Sequence, residues 1–128
     1  MSNFLELELL DHVLNGLTWA SPASVWVALY TTDPTDADSG TEVAALYDYA
    51  RVQMTAGWTV AAGNAYNTAA VTFPPANGGS WGTVTHMGIR DASTAGNLLF
   101  HGVLTSSRTV QDGDTFQFAL GNISIDLD

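Results

Sequence analysis

The chain has 128 residues, the size of one ordinary domain, and it carries thirteen Asp and Glu against three arginines and no lysine, for a formal net charge of −10. With no cysteine, a disulfide framework, a thiolate zinc site and a cysteine nucleophile are all excluded; with Arg51, Arg90 and Arg108 as the only strong bases, there is no large basic patch for nucleic acid or an anionic membrane surface. A content of 46% hydrophobic and 12% charged residues is too apolar for disorder, and no run approaches the ~20 apolar residues of a membrane span.

The N-terminal segment is acidic at Glu6, Glu8 and Asp11, so it lacks the basic region of a secretory signal. Phe4, Leu7, Leu10, Val13, Leu14 and Leu17 recur at the 3.6-residue period of a helix. The spacing predicts one helix over 3–17, with Ser2 as N-cap, Glu6 near the positive end of the helix dipole and Gly16 as the stop. Beyond Trp19 the pattern changes to short β-branched and aromatic runs separated by turn residues. Residues 24–31 alternate with apolar residues on both faces, which predicts a central strand, or one whose second face meets the helix or a subunit. Residues 33–40 form a polar loop of turn formers. Strands are expected at 49–55, 58–61 and 68–73, the last stopped by Pro74-Pro75.

Asn77-Gly78-Gly79-Ser80 reads as a turn, and residues 83–91 and 97–104 as the arms of a hairpin around the loop 91–96. A short strand at 107–110 leads into Gln111-Asp112-Gly113-Asp114, where Asp-Gly is a strong hairpin signal. Phe116, Phe118 and Leu120 then alternate onto one face. After Gly121-Asn122, Ile123, Ile125 and Leu127 alternate with Ser124, Asp126 and Asp128 as a half-buried last strand. The expected architecture is mainly β: a jelly-roll-like β-sandwich of about eight short strands over 24–128, preceded by the helix of 1–17, in a single domain spanning 1–128. No internal repeat or linker interrupts it.

Candidate chemistry is thin. His86 and His101 lie on strands expected to pair and could begin a metal site, but spacing places no third ligand; hydrogen-bonded imidazoles on a sheet face are the commoner arrangement. Asp33, Asp36, Asp38 and Glu42 make an oxygen-rich loop that departs from the helix–loop–helix calcium pattern, and acidic turn residues explain it more simply. His12 sits late in the helix, where a positive charge complements the dipole. No Gly-x-Ser-x-Gly elbow and no phosphate-binding loop is present. Asp112 and Asp114 flank a turn and not a cleft. Neither a catalytic residue, a bound cofactor nor a metal ligand is expected, and the reading is non-enzymatic.

The aromatic residues point instead to packing and interfaces. The apolar helix residues Phe4, Leu7, Leu10 and Leu14, the strand residues Trp26 and Tyr30, and Trp81 in the loop before a strand are the interface candidates. For Trp81 the competing expectation is that it folds back to cap the sandwich. Sugar binding through Trp81 and Tyr66 is a third use of such rings.

The runs Met1-Ser2-Asn3-Phe4-Leu5-Glu6, Ser21-Pro22-Ala23-Ser24-Val25-Trp26-Val27-Ala28-Leu29-Tyr30-Thr31-Thr32-Asp33-Pro34, Trp81-Gly82-Thr83-Val84-Thr85-His86-Met87-Gly88-Ile89, Gly96-Asn97-Leu98-Leu99-Phe100-His101-Gly102 and Gly113-Asp114-Thr115-Phe116 resemble, in order and over most of the chain, a family of small virion proteins of tailed bacteriophages. Its members are commonly labelled phage tail fibre or structural proteins. The chain departs from it at 44–49, where a glycine-rich turn is expected before the tyrosine. The resemblance implies localisation in the virion and partners among other virion proteins, in many copies or as a homo-oligomer. Because fibres are long and repetitive and this chain is short, a capsid decoration (cement) protein binding the major capsid protein is the expected role. A tail-fibre or tail-tip adaptor is the alternative, and a carbohydrate-binding module a more remote one.

Overall fold

The computed structural model describes residues 1–54 and 57–127. Helix α1 runs Asn3–Leu14, and the Ser2 hydroxyl caps it by accepting the Leu5 N–H at 3.3 Å. It stops short of the apolar pattern. Asn15 is the C-cap, and Gly16 takes the left-handed conformation that ends helices, φ 67°. Leu17 therefore lies beyond the helix.

The rest is antiparallel β-structure, mainly β as expected, in three groups. Strands β1 (Val25–Tyr30), β2 (Val52–Met54), β6 (Gly82–Arg90) and β7 (Leu98–Val110) form a sheet in the order β2-β1-β6-β7. Strands β3 (Trp58–Ala61), β4 (Asn64–Asn67) and β9 (Ser124–Asp126) form a second in the order β3-β4-β9, and β5 (Val71–Thr72) pairs with β8 (Gln117–Phe118). Strand β1 lies between β2 and β6, the central place its two apolar faces predict.

Several boundaries differ from the sequence pattern. The strand expected over 49–55 is confined to Val52–Met54 among the described residues, with Thr55 outside them. Tyr49 is a loop residue whose hydroxyl accepts the Leu29 N–H at 2.9 Å. Only Val71–Thr72 of the segment 68–73 is strand. No strand was expected where β4 lies. That strand forms because Ala62 and Gly63 both take positive φ, 52° and 80°, as a two-residue hairpin loop needs. The strands expected at 97–104 and 107–110 are one 13-residue strand, with an irregularity in its pairing between Val84 and His86. The Asp112-Gly113 turn is present, Gly113 at φ 84°, but it joins strands of different groups and closes no hairpin. Leu120 is exposed where Phe116 and Phe118 are buried, because the strand ends at Phe118.

The core lies between the groups. Val27 and Leu29 of β1, Val84, Met87 and Ile89 of β6, and Val71, Phe73 and Ile123 are buried together. Tyr49, Phe73, Trp81, Phe116 and Phe118 run through it as a chain of ring contacts, mostly edge-to-face at 5.1–6.5 Å. Trp81, an interface candidate, is only 6% exposed. Its indole N–H donates to the Tyr47 carbonyl at 2.9 Å, so it caps the sandwich. Tyr30, another candidate, is 1% exposed in a smaller cluster with Ala28 and Leu98 on the other face of β1. Gly88 makes room for that cluster: a Cβ there would meet Leu98 and Tyr30 ring atoms at 2.8 Å.

The loop 44–49, where a glycine-rich turn was expected, turns through non-glycine residues in the left-handed region. Tyr47 and Asp48 both take positive φ, 54° and 63°. Hydrogen bonds from Trp81 and Asn77 to the Tyr47 carbonyl hold this conformation, and the Tyr47 ring covers Gly79, where a Cβ would sit 2.5 Å from it.

Candidate interaction surface

With so few cations, the placement of the arginines decides the surface charge. The Arg51 guanidinium makes a two-pronged bond to Glu42, at 2.8 and 2.7 Å, and donates to the Ala92 and Ala95 carbonyls. Arg90 is buried and makes the same fork to Asp38, at 2.8 and 2.7 Å, while donating to the Tyr30 hydroxyl and the Gly96 carbonyl. Such bidentate pairs fix geometry as well as charge. They pin the loops 33–40 and 91–96 against the sheet. Burial raises the Tyr30 phenol above its ordinary value, outweighing the opposite pull of Arg90. Tyr49 is raised further, by burial and the adjacent Glu42 carboxylate, to which its hydroxyl donates at 2.9 Å. Arg108 is left exposed, stacked over the Phe116 ring at 5.9 Å, with no carboxylate partner among the described residues.

The fold brings the two strand histidines to the acidic loop. His101 lies with Nε2 2.9 Å from Asp36 and Nδ1 3.7 Å from Asp33, and His86 Nε2 is 3.8 Å from the other Asp33 oxygen. The Thr85 hydroxyl is 2.8 Å from His86 Nδ1. The hydrogen bond from His101 lowers the Asp36 carboxyl below its ordinary value. Among the described residues no three of these groups are arranged to hold a metal ion. The cluster ties the loop to β6 and β7. Sequence spacing could not join Asp33 and Asp36 to the histidines, because they meet only through the sheet.

A second surface feature is apolar. Helix α1 is tied to the sheet at its start: the Ser2 hydroxyl and N–H donate to the Leu98 and Leu99 carbonyls, and the Asn3 N–H to the Asp36 carbonyl. Leu5 is the one buried residue of the helix. Leu7, Leu10, Val13 and Leu14, and Leu17 after it, are each more than half exposed, Leu14 by 73%. Of the interface candidates, then, Leu7, Leu10 and Leu14 lie on one exposed element, Phe4 and Trp26 are half-buried, and Tyr30 and Trp81 belong to the core.

Beside the helix the sandwich does not close. Between β7 and the β3-β4-β9 sheet lies a groove of about 380 Å³, with an almost wholly apolar wall that includes Trp58, Val60, Phe100, Ile125 and Leu127. Phe100 and Ile125 also line the wider space next to it, which runs along β7 to Arg108 and Phe116. Sequence reasoning missed this groove. Its residues alternate like any buried strand face, and alternation does not tell a closed seam from an open one.

A model of one protein family, described as Podophage GP4 fiber I protein gp80, matches residues 1–126. No curated protein matches the chain. The family match covers the capped helix, both sheets and the loops that the arginines hold. The chain belongs to the podophage GP4 fiber I protein gp80 family, and is a phage fibre-type protein of the virion.

Proposed function

We propose that this protein is a non-catalytic structural component of a phage tail fibre assembly, joined to neighbouring tail proteins through α1 and the apolar surface beside it. The observation that carries the reading is the family match over residues 1–126, which favours the tail-fibre role over capsid decoration. The expectation of a head protein rested on the short, unrepeated chain, and membership of a fibre family outweighs it. The surface fits a protein that binds proteins. Two of three arginines are consumed inside the fold, the exterior is strongly acidic, and the exposed leucines of α1 form a stripe that a partner would cover. The ionisable groups that do converge, His86, His101, Asp33 and Asp36, pair with one another in a loop-anchoring role.

Labelling the protein in intact virions and counting its copies tests the assignment. A small number of copies confined to the tail is the expected result. Copies distributed over the head would refute it and restore decoration.

A further inference from the structure

We propose that Asn15, the C-cap of α1, is a site of spontaneous deamidation, and that the fold holds the chain's other Asn-Gly bond against the same reaction. Asparagine is thermolabile, and a following glycine has no side chain to shield the attacking nitrogen. The Gly16 nitrogen loses its proton and attacks the Asn15 side-chain carbonyl carbon. A five-membered imide closes, and the amide nitrogen leaves as ammonia. Water then opens the ring at either carbonyl, giving aspartate or isoaspartate. The sum is asparagine plus water to a carboxylic acid and ammonia, with no oxidant or reductant.

Asn15-Gly16, Asn77-Gly78 and Asp112-Gly113 all offer the same glycine nitrogen to a side-chain carbonyl carbon. The fold treats them differently. The Gly78 N–H donates to the Asp112 carboxylate at 2.8 Å, while the Asn77 amide donates to Asp48 at 3.0 Å and the Asn77 N–H to the Tyr47 carbonyl at 3.1 Å. The Gly113 N–H donates to the Ala76 carbonyl at 2.7 Å. An N–H bonded to an acceptor, above all to an anion, gives up its proton only when that bond opens. The Gly16 N–H has no acceptor among the described residues. Asn15 and Gly16 are exposed, and nothing lies within 4 Å of the place a Gly16 side chain would occupy. What holds Asn15 is the last turn itself: its N–H and that of Leu17 donate to the Asp11 carbonyl, and its amide to the Asp11 carboxylate at 2.7 Å. These bonds lie at an exposed helix end, where fraying costs least.

The product acts back on the helix. A carboxylate at the C-cap opposes the negative end of the helix dipole, and it faces Asp11, whose carboxylate now accepts the Asn15 amide. Deamidation therefore frays the last turn, which carries Val13 and Leu14, and adds a negative charge to a chain already at −10. It is a slow covalent clock on the exposed end of α1.

The test is independent of where on the particle the protein sits. The purified full-length chain is kept warm in mildly alkaline buffer and sampled over days, with a urea-unfolded sample as reference. Tandem mass spectrometry of chymotryptic peptides locates each conversion of amide to acid, and an isoaspartyl methyltransferase reports the isomerised product. In the folded chain Asn15 should convert at least about tenfold faster than Asn77, since opening a bond to a charged acceptor slows the reaction by that much. In urea the two should convert at similar rates. Asp112→Ala, at an exposed position, removes the acceptor of the Gly78 N–H. It should start conversion at Asn77 while Asn15 keeps its rate, with circular dichroism verifying the fold. Asn15→Gln should retain the helical signal that the parent loses on ageing. The proposal is overturned if Asn15 keeps its amide in the folded chain while converting in urea, if Asn77 keeps pace with it, or if Asp112→Ala leaves Asn77 unchanged.

Discussion

Replacing Asp38 by Ala is the sharpest test of how the acidic loop is held. Arg90 is buried and makes four hydrogen bonds, two of them to Asp38 at 2.8 and 2.7 Å. The substitution removes both charge-assisted bonds and leaves the guanidinium with only the Tyr30 hydroxyl and the Gly96 carbonyl. Breaking a fully buried pair from one side costs about 3–5 kcal/mol. The Asp38 side chain is 33% exposed, so water replaces part of what is lost, and the expected cost falls to about 2–3 kcal/mol. For a domain of this size that lowers the midpoint of thermal unfolding by roughly 8–12 °C. Urea and thermal unfolding of the parent, D38A, R90M and the double variant complete a double-mutant cycle. The double variant should be less destabilised than the sum of the singles, because it leaves no buried charge unpaired. A D38A protein within about 0.5 kcal/mol of the parent would refute the reasoning, since that is the range of an ordinary surface substitution.

Gly88→Ala should destabilise by about 1–3 kcal/mol, because its methyl group meets Leu98 and Tyr30 at 2.8 Å in a closed cluster; Gly102→Ala on the neighbouring strand has nothing within 4 Å and should be neutral to slightly stabilising in the same unfolding assay. The Asp36 carboxyl, followed by NMR, should titrate below the ordinary aspartate value, and His101→Gln should move it back up. As a group with a depressed folded-state pKa, Asp36 stabilises the fold above its unfolded value, and that contribution disappears as pH falls through the folded one.

Local signals in the sequence determined the start of α1, the central strand β1, the hairpin of β6 with the first part of β7, and the overall mainly-β class. A cap, a left-handed glycine and a two-residue alternation act within a few residues of one another, so they are legible without the fold. The family resemblance was legible for the same reason, in ordered runs along the chain. Only tertiary structure decided the rest. Trp58 opens a strand and Trp81 immediately precedes one, yet Trp81 caps the core and Trp58 lines an open groove. Burial depends on which strands stack across the sandwich, and strand alternation is silent on that. Asp33 and Asp36 meet His86 and His101, and Asp38 meets Arg90, at sequence separations of 52 to 68, because loop 33–40 folds back over the sheet. The apolar stripe of α1 is plain in the sequence. That its own domain leaves it uncovered follows from where Ser2 and Asn3 are tied, a long-range contact that no local pattern encodes.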